Sequence, residues 1–494
     1  MTNDTHGSPE HVDVLIVGAG ISGIGGAHHL QEYCPDKSFV ILDTKETFGG
    51  TWAQHTYPGI RSDSDLYTFG YKFKPWTGPP IATAEEILVY MSEVIEENDL
   101  DPHIRFQHTI TGADWSSDDG RWTVRGERTD TGESFEITSS FLWMCAGYYR
   151  HAEGYTPDWE GMDRYQGQIV HPQTWPDDLD YAGKRVLVIG SGATAATLIP
   201  AMADEAGHVT MLQRSPTYFY PRPNVDELAD ELRGLEIPDE WVHEIIRRRN
   251  LRDGQIIHQM SAEYPEMMVD ELIKAAREYL PEGFDIDTHF RPAYKPWTQR
   301  IAVLPDGDLF KGIASGDVDI VTDHIDTFTE QGVLLESGIE LAADIIVTAT
   351  GFHLNALGDT QMSIDGEPLD YAGTVTYRGV MFSDVPNMAT VFGYLRTSWT
   401  MRSDLISDFV CRLLNHMDAI GATVCTPTIA PEDADMELGP FVPPESFNPG
   451  YMQRGRHLMP KQGTKAPWTA SNDYYIEKDE FPVIDLDEPE LHYR

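Results

Sequence analysis

Val12-Asp13-Val14-Leu15-Ile16-Val17-Gly18-Ala19-Gly20-Ile21-Ser22-Gly23 is the stretch on which the fold turns. Residues 12–17 are a short, mostly apolar, β-branched run that ends directly on Gly18, and helical sequence opens at Ile21. In this order of strand, tight turn and helix, Gly18 makes the turn, Gly20 admits a pyrophosphate to the backbone, and Gly23 lets helix and strand pack closely. The helix start offers free N–H groups and a positive dipole end to phosphate. A second apolar run, residues 39–42, ends at Asp43, twenty positions beyond Gly23. A carboxylate there accepts hydrogen bonds from ribose hydroxyls. The glycine pattern alone is a weak signal, but strand, helix and acid together make an ordinary glycine-rich turn a poor explanation.

The pattern recurs. Residues 186–189 run onto Gly190-Ser191-Gly192-Ala193-Thr194-Ala195, with alanine at the third glycine position, a tolerated replacement. The next strand, residues 209–212, ends in Gln213-Arg214-Ser215 where the first site has its acid. A guanidinium pairs two-pronged with phosphate, so Arg214 suits the 2′-phosphate of NADP and disfavours NAD. One acidic and one basic ribose site imply two different dinucleotides, FAD and NADPH. The expected fold is α/β, with two Rossmann-like dinucleotide-binding domains and a helical insertion. Residues 1–150 and 352–494 should form the FAD domain and residues 151–215 and 299–351 the NADP domain. Residues 216–298 should form the insertion, near a substrate pocket. The buried run 344–352, ending in Ala349-Thr350-Gly351, should hand the chain back to the flavin side.

Composition narrows the function. At 494 residues, two or three domains can each bury a core. Against 36 Lys+Arg stand 80 Asp+Glu, a formal charge of −44 spread along the chain. Nucleic acid is excluded as a partner, because phosphate binding needs basic surface. The acids read as a solvated surface adapted to a high-salt cytoplasm, where screening shortens self-repulsion to roughly a few ångströms. Cys34, Cys145, Cys411 and Cys425 form no C-x-x-C pair, which argues against a disulfide framework, a zinc site or a dithiol reductase. The polar stretch 1–10 lacks the order of a signal peptide, and no apolar run approaches the roughly 20 residues of a membrane span. A soluble, cytoplasmic protein without stable membrane insertion is expected; the sequence leaves its oligomeric state open.

Between the two turns and beyond them lie several readable segments. Gly49-Gly50-Thr51-Trp52 follows the ribose acid, where glutathione-reductase-like flavoproteins use a Gly-Gly pair to run along the flavin diphosphate. The Pro58-Gly59 turn presents Arg61, Ser62 and Asp63, and taken alone Arg61 and Asp63 read as a solvated surface pair. Thr83 and Glu86 fit a capping box before a helix over residues 83–99. Residues 104–115, 121–125 and 135–144 read as a meander. In the insertion, Trp241, Ile245 and Ile246 repeat at helical spacing, as do Met268, Leu272, Ala275, Ala276 and Tyr279, while Arg247-Arg248-Arg249 reads as a solvated face. Residues 405–417 read as a packing helix, and the acidic stretch from Ser471 as a surface tail.

Tyr165-Gln166-Gly167-Gln168-Ile169-Val170-His171-Pro172-Gln173-Thr174-Trp175-Pro176 joins the two sites. With both glycine turns, it resembles the Baeyer–Villiger monooxygenases, the class B flavin monooxygenases. Their signature, F-x-G-x-x-x-H-x-x-x-W-[P/D], is matched at Gly167, His171, Trp175 and Pro176 and departed from at Tyr165. Residues 57–67, 190–197, 212–218 and 296–300 are similar to the ethionamide-activating subgroup. The resemblance spans residues 12 to about 468.

That resemblance implies an NADPH- and O2-dependent enzyme carrying oxygen as a C4a-peroxyflavin. The oxygen is inserted beside a ketone carbonyl to give an ester or lactone, and the same oxidant can act on sulfides. By motif match Arg300 is the cation beside the peroxide, and Asp63 the carboxylate that pairs with it. The implied cofactor contacts on the first side are Gly18, Gly20, Ser22, Gly23, Asp43, Gly50, Thr51, Trp52, Arg61, Ser62, Asp63 and Ile110. On the second side they are Gly190, Ser191, Gly192, Ala193, Thr194, Ala195, Arg214 and Ser215. His171 and Trp175 are expected to couple NADP position to the flavin site rather than to touch substrate. An N- or S-hydroxylating class B enzyme remains the alternative, ahead of an NADPH-dependent flavin reductase and of a flavin-bound sensor without turnover.

Overall fold

A computed structural model describes residues 9–494, so the first eight residues of the polar N-terminal stretch lie outside the described residues. The decisive run sits inside the strand Glu10–Val17, where Val14, Leu15 and Ile16 are fully buried. It lies parallel to Phe39–Leu42 on one side and to Ser134–Met144 on the other. From there the larger sheet extends through the antiparallel meander of Arg121–Arg128 and His108–Ser116 to Gln361–Ile364 and Glu367–Pro368. Ile104–Arg105 closes the far edge, and Met388–Thr390 pairs in parallel with Ser134–Met144. The run 104–115, expected as one strand, breaks at Gln107, whose φ of 60° lies in the left-handed region and turns the chain.

The smaller sheet has five parallel strands in the order Val318–Thr322, His208–Gln213, Arg185–Ile189, Ile345–Thr348 and Gln168–Val170. Its central strands are continuous buried aliphatic runs, as parallel strands covered on both faces must be. The stretch read as a connector is therefore part of the sheet: Gln168–Val170 is its edge strand, in register with Ile345–Val347.

Helix Ala84–Glu97 begins at the expected capping box, with Thr83 and Glu86 bonded reciprocally. The insertion contains helices Glu227–Gly234, Asp239–Glu263, Pro265–Arg277 and Ile286–Phe290. It opens with the strand Phe219–Arg222, which pairs in parallel with Ala302–Pro305. Ile246 of the expected stripe is buried, but its other two members are not. Val242, His243, Ile246 and Arg247 face inward, while Trp241 is 64% and Ile245 38% exposed.

Two further expectations are corrected. Arg247-Arg248-Arg249 is not a solvated face. Arg247 is buried and donates to the carbonyls of Tyr67, Thr68 and Gly70 at 3.0, 3.2 and 3.1 Å. Arg249 pairs with Asp226, which leaves only Arg248 in solvent. Nor does the chain from Ser471 trail over the surface. Tyr474–Glu480 is a helix, and Leu491–Tyr493 pairs antiparallel with Cys425–Pro427. Glu477 is buried against Arg402, with exposures of 3% and 0%. Arg402 lies in the helix Trp399–Ile420, longer at both ends than the packing helix read from residues 405–417. Local charge was a poor guide here because the pairing arginine lies 75 residues away.

No helix among the described residues is long and apolar enough to cross a membrane. Breaking a buried ion pair by removing one partner leaves an uncompensated charge. Glu477→Ala should therefore lose about 3–5 kcal/mol of stability in chemical denaturation. Burial alone would raise the Glu477 pKa, but the Arg402 guanidinium outweighs it and holds the carboxyl low. The pair's contribution should therefore be complete above about pH 4.5 and fall away as pH drops through the depressed folded value.

Candidate functional site

In the first glycine turn, Gly18 has φ +103°, and a Cβ there would lie 2.7 Å from the Cys145 carbonyl oxygen. A Cβ on Gly23 would lie 1.9 Å from the Gly18 oxygen, so helix and turn meet at a distance that only glycine permits. Gly20 and Gly50 face each other backbone to backbone; a Cβ on Gly50, which has φ +55°, would sit 3.1 Å from the Gly20 Cα. Helix Ile21–Tyr33 has no side-chain cap at its start. The result is a slot at an uncapped helix start that side chains would fill, which fits the diphosphate of FAD.

Asp43 ties its strand end to this turn, its carboxylate accepting the Ala19 N–H at 2.7 Å and the Lys45 N–H at 2.8 Å. Burial raises its pKa against the pull of those two donors. Ser22 accepts a hydrogen bond from the Trp399 indole at 2.8 Å. Thr51 and Trp52 open the short helix Thr51–Gln54 directly after Gly50. Ile110 packs in a core cluster with Val17 and Leu42.

At the second turn, Gly190 has φ +134°, and a Cβ there would lie 2.2 Å from the Ala349 oxygen. Around Gly192 nothing comes within 4 Å of such a Cβ, and helix Ala193–Ala203 also starts without a side-chain cap. Ala195 is fully buried, so the methyl in place of a third glycine packs into the core. Ser191 and Thr217 hydroxyls are 2.8 Å apart, and Thr194 lies in the first turn of the helix. Arg214 and Ser215 are exposed at the strand end. An open, uncapped helix start beside an exposed guanidinium fits NADP.

The signature residues lie where the chain crosses between the sheets. Strands Tyr149–Gly154 and Phe352–Leu354 run antiparallel there. His171 Nε2 is 3.1 Å from the Gly351 carbonyl, and Nδ1 accepts the Gln173 N–H at 3.1 Å. A Cβ on Gly154 would lie 1.9 Å from the imidazole. Tyr165 donates its hydroxyl to the Ala343 carbonyl at 3.0 Å, so the departure from phenylalanine leaves no unsatisfied group. A Cβ on Gly167 would meet that Tyr165 hydroxyl at 2.3 Å. Trp175 packs on the core of the smaller sheet.

Arg61 and Asp63 do not pair with each other. Arg61 binds Asp308 at 2.6 Å, whereas Asp63 binds Arg300 through two bonds, Nε to Oδ2 at 2.8 Å and Nη2 to Oδ1 at 2.5 Å. Ser62, the buried residue between them, accepts the Ser64 N–H at 3.0 Å. Asp63 and Arg300 lie in the wall of a cavity of about 680 Å³, which Arg249, Gly254 and Ile257 of the insertion also line. Their side chains are 16% and 44% exposed. The Asp63 charge keeps the guanidinium protonated against desolvation. Trp297, three residues before Arg300, has φ +66° and lines the same cavity.

Sequence reading missed the aromatic cluster behind the pair. Tyr148 and Tyr149 share a hydroxyl–hydroxyl bond of 2.8 Å, Tyr148 stacks on Trp399, and Tyr451 closes on Tyr149. The doublet after the small-residue turn at Cys145-Ala146-Gly147 was the available signal. Because Gly23 has no room for a methyl, Gly23→Ala should yield protein purifying without yellow flavin absorbance; a fully loaded variant would remove this turn from the FAD site.

Known proteins resemble this chain along its whole length. A family described as flavin-binding monooxygenase-like matches residues 73–227, and an NAD(P)-binding Rossmann-like domain matches residues 16–76. The chain is 47% identical to the FAD-containing monooxygenase EthA of Mycolicibacterium smegmatis, over 98% of this chain and 97% of that one. It is 43% identical to the probable FAD-binding monooxygenase AlmA of Acinetobacter baylyi, over 98% and 96%. The solved structure of an oxidised steroid monooxygenase bound to NADP superposes with a TM-score of 0.70 at 26% identity, covering 85% of this chain and 88% of that one. Relatedness of this extent, over two Rossmann-like domains whose glycine turns fit FAD and NADP, makes the chain a member of the class B flavin-containing monooxygenase family.

Proposed function

We propose that the protein is an NADPH- and O2-dependent Baeyer–Villiger monooxygenase, which inserts oxygen beside a ketone carbonyl to form an ester or lactone and also oxidises sulfides. The observation that carries the reading is the two-pronged Asp63–Arg300 pair in the cavity wall. Bound FAD, reduced by NADPH, supplies the activated oxygen. The protein's part is positioning and charge.

Asp63 takes Nε and Nη2 of Arg300, and among the described residues Nη1 has no protein partner. One face of a permanent cation is thus fixed while another is left for an oxygen atom. A preorganised charge of this kind stabilises a developing oxyanion by about 3–4 kcal/mol, as measured for oxyanion-hole donors. Asp63 acts through Arg300, by holding its plane and its charge. Gly20 and Gly50 receive the FAD diphosphate, with Asp43 at its ribose. Gly192 and the helix behind it receive the NADP diphosphate, with Arg214 and Ser215 at its 2′-phosphate. His171 and Trp175 relay the position of one half to the other.

An N- or S-hydroxylating relative would not need the Asp63–Arg300 pair, which favours the Baeyer–Villiger reading. A dithiol flavin reductase is disfavoured because all four cysteines are free and buried. We also read the −44 charge as adaptation to a salt-rich cytoplasm, so that activity should rise with added potassium chloride.

Arg300→Ala should still be reduced by NADPH at a normal rate in anaerobic stopped-flow, yet give no ester from a ketone panel analysed by mass spectrometry. A normal ester yield would take Arg300 out of its role. Arg214→Ala should raise the KM for NADPH by about tenfold or more and change that for NADH little, as loss of a charge-assisted phosphate contact requires. Equal effects on both nucleotides would overturn the 2′-phosphate assignment.

A further inference from the structure

The cavity that holds Arg300 adjoins a second chamber of about 420 Å³, and His258, Leu395, Arg396, Thr397 and Tyr475 line both. The wall of the second chamber includes Phe441, Val442, Phe447 and Tyr474 beside polar Gln462 and Asn472. No glycine of either dinucleotide turn lines either chamber.

The charges of this double cavity are paired or solvated, with one exception. Arg300 is bound to Asp63 at 2.5 Å, Arg222 lies 3.6 Å from Asp65, and Arg249 donates to Asp226 at 3.1 Å. His258 faces Asp473 at 3.9 Å, Asp253 holds Arg252 at 2.7 Å, and Glu227 is exposed to solvent. Arg396 is half-buried and, among the described residues, has no carboxylate within 4.0 Å. Its Nη2 donates to the Ser446 carbonyl. The acid acting on it from farther off is Asp473, whose Oδ1 already caps a helix by accepting the Tyr475 N–H at 2.9 Å. Burial pulls the Arg396 pKa below the ordinary arginine value, with Asp473 opposing. In a chain with 80 acids to 36 cations, a half-buried guanidinium without a carboxylate partner needs a cause.

We infer that Arg396 binds a carboxylate of the substrate, so that the preferred substrates are ketones or thioethers whose chain carries a carboxylic acid. This rests on the oxygenase reading and narrows its substrate class. Such a molecule presents its carbonyl or sulfur to Arg300 and its carboxylate to Arg396, two groups of one continuous wall. The fork of donors on a guanidinium matches a carboxylate and not an ester, and partial burial limits competition from water. Arg396 is thereby a specificity-determining residue.

The test is equilibrium dialysis of a medium-chain oxo acid and of its methyl ester against the FAD-loaded enzyme with NADP+, alongside oxygenation of both with NADPH. The acid should bind about tenfold or more tighter than the ester. That preference should shrink to near parity in Arg396→Gln and persist in Arg396→Lys. Equal binding of acid and ester by the wild-type enzyme would overturn the inference, as would an acid preference that survives Arg396→Gln in flavin-loaded protein. A second readout needs no variant: a plain fatty acid should compete with the oxo acid where the matching fatty alcohol does not. Equal competition by both would also overturn it. Preferential binding of the acid without oxygenation of either compound would leave the carboxylate site standing and sink the oxygenase reading instead.

Discussion

The hydrogen bond from His171 to the Gly351 carbonyl holds the place where the chain passes between its two sheets. A carbonyl can only accept and the Gln173 N–H can only donate, so Nε2 carries the proton and Nδ1 is bare. Both ring nitrogens are thus used by the neutral tautomer, and burial keeps the ring neutral by lowering its pKa. Gly154 leaves room for the ring, and Gly351 also accepts the Tyr155 N–H at 2.9 Å. The edge strand of the smaller sheet, its closing turn and the outgoing ribbon therefore converge on one imidazole. The second glycine turn is tied to that convergence, because Gly190 leans on Ala349 two residues before Gly351.

A few of the scarce positive charges sit at interior positions. Arg247 gathers three carbonyls beneath the helical insertion, Arg402 pairs with Glu477 of the helix Tyr474–Glu480, and Arg300 faces the cavity. Much of the acid excess is in solvent, where salt screens it. Surface charge and internal charge follow different rules in this chain, and only the first is visible in the overall composition.

The elements legible from the amino-acid order were those fixed by local constraints. Glycine turns, the capping box at Thr83 and the buried parallel strands each follow from a few adjacent residues. The Arg300–Asp63 pair, 237 residues apart, came from motif resemblance, and no local pattern could have supplied it. What could not be read was long-range pairing of charge. Glu477 looks like one acid in an acidic tail until Arg402 is beside it, and Arg247 looks solvated until three carbonyls surround it. In the insertion Ile246 is buried as its spacing suggests, whereas Trp241 and Ile245 are apolar yet face outward. Tyr148, Tyr149 and Tyr451 escaped because their cluster joins distant stretches of chain.

The larger sheet takes strands from both sides of the smaller one in the chain, and this sets an order of events during synthesis. All five parallel strands of the smaller sheet have emerged by residue 348. The larger sheet must wait for Met388–Thr390, and Arg402 for Glu477. Until then the first glycine-turn unit leaves the ribosome as an open half, with Val14, Ile16 and Phe141 short of their final cover. Such late, distant contacts make folding slow and expose apolar strand edges in the interval. The high negative charge that keeps nascent chains apart thus protects the half of the molecule that is last to close.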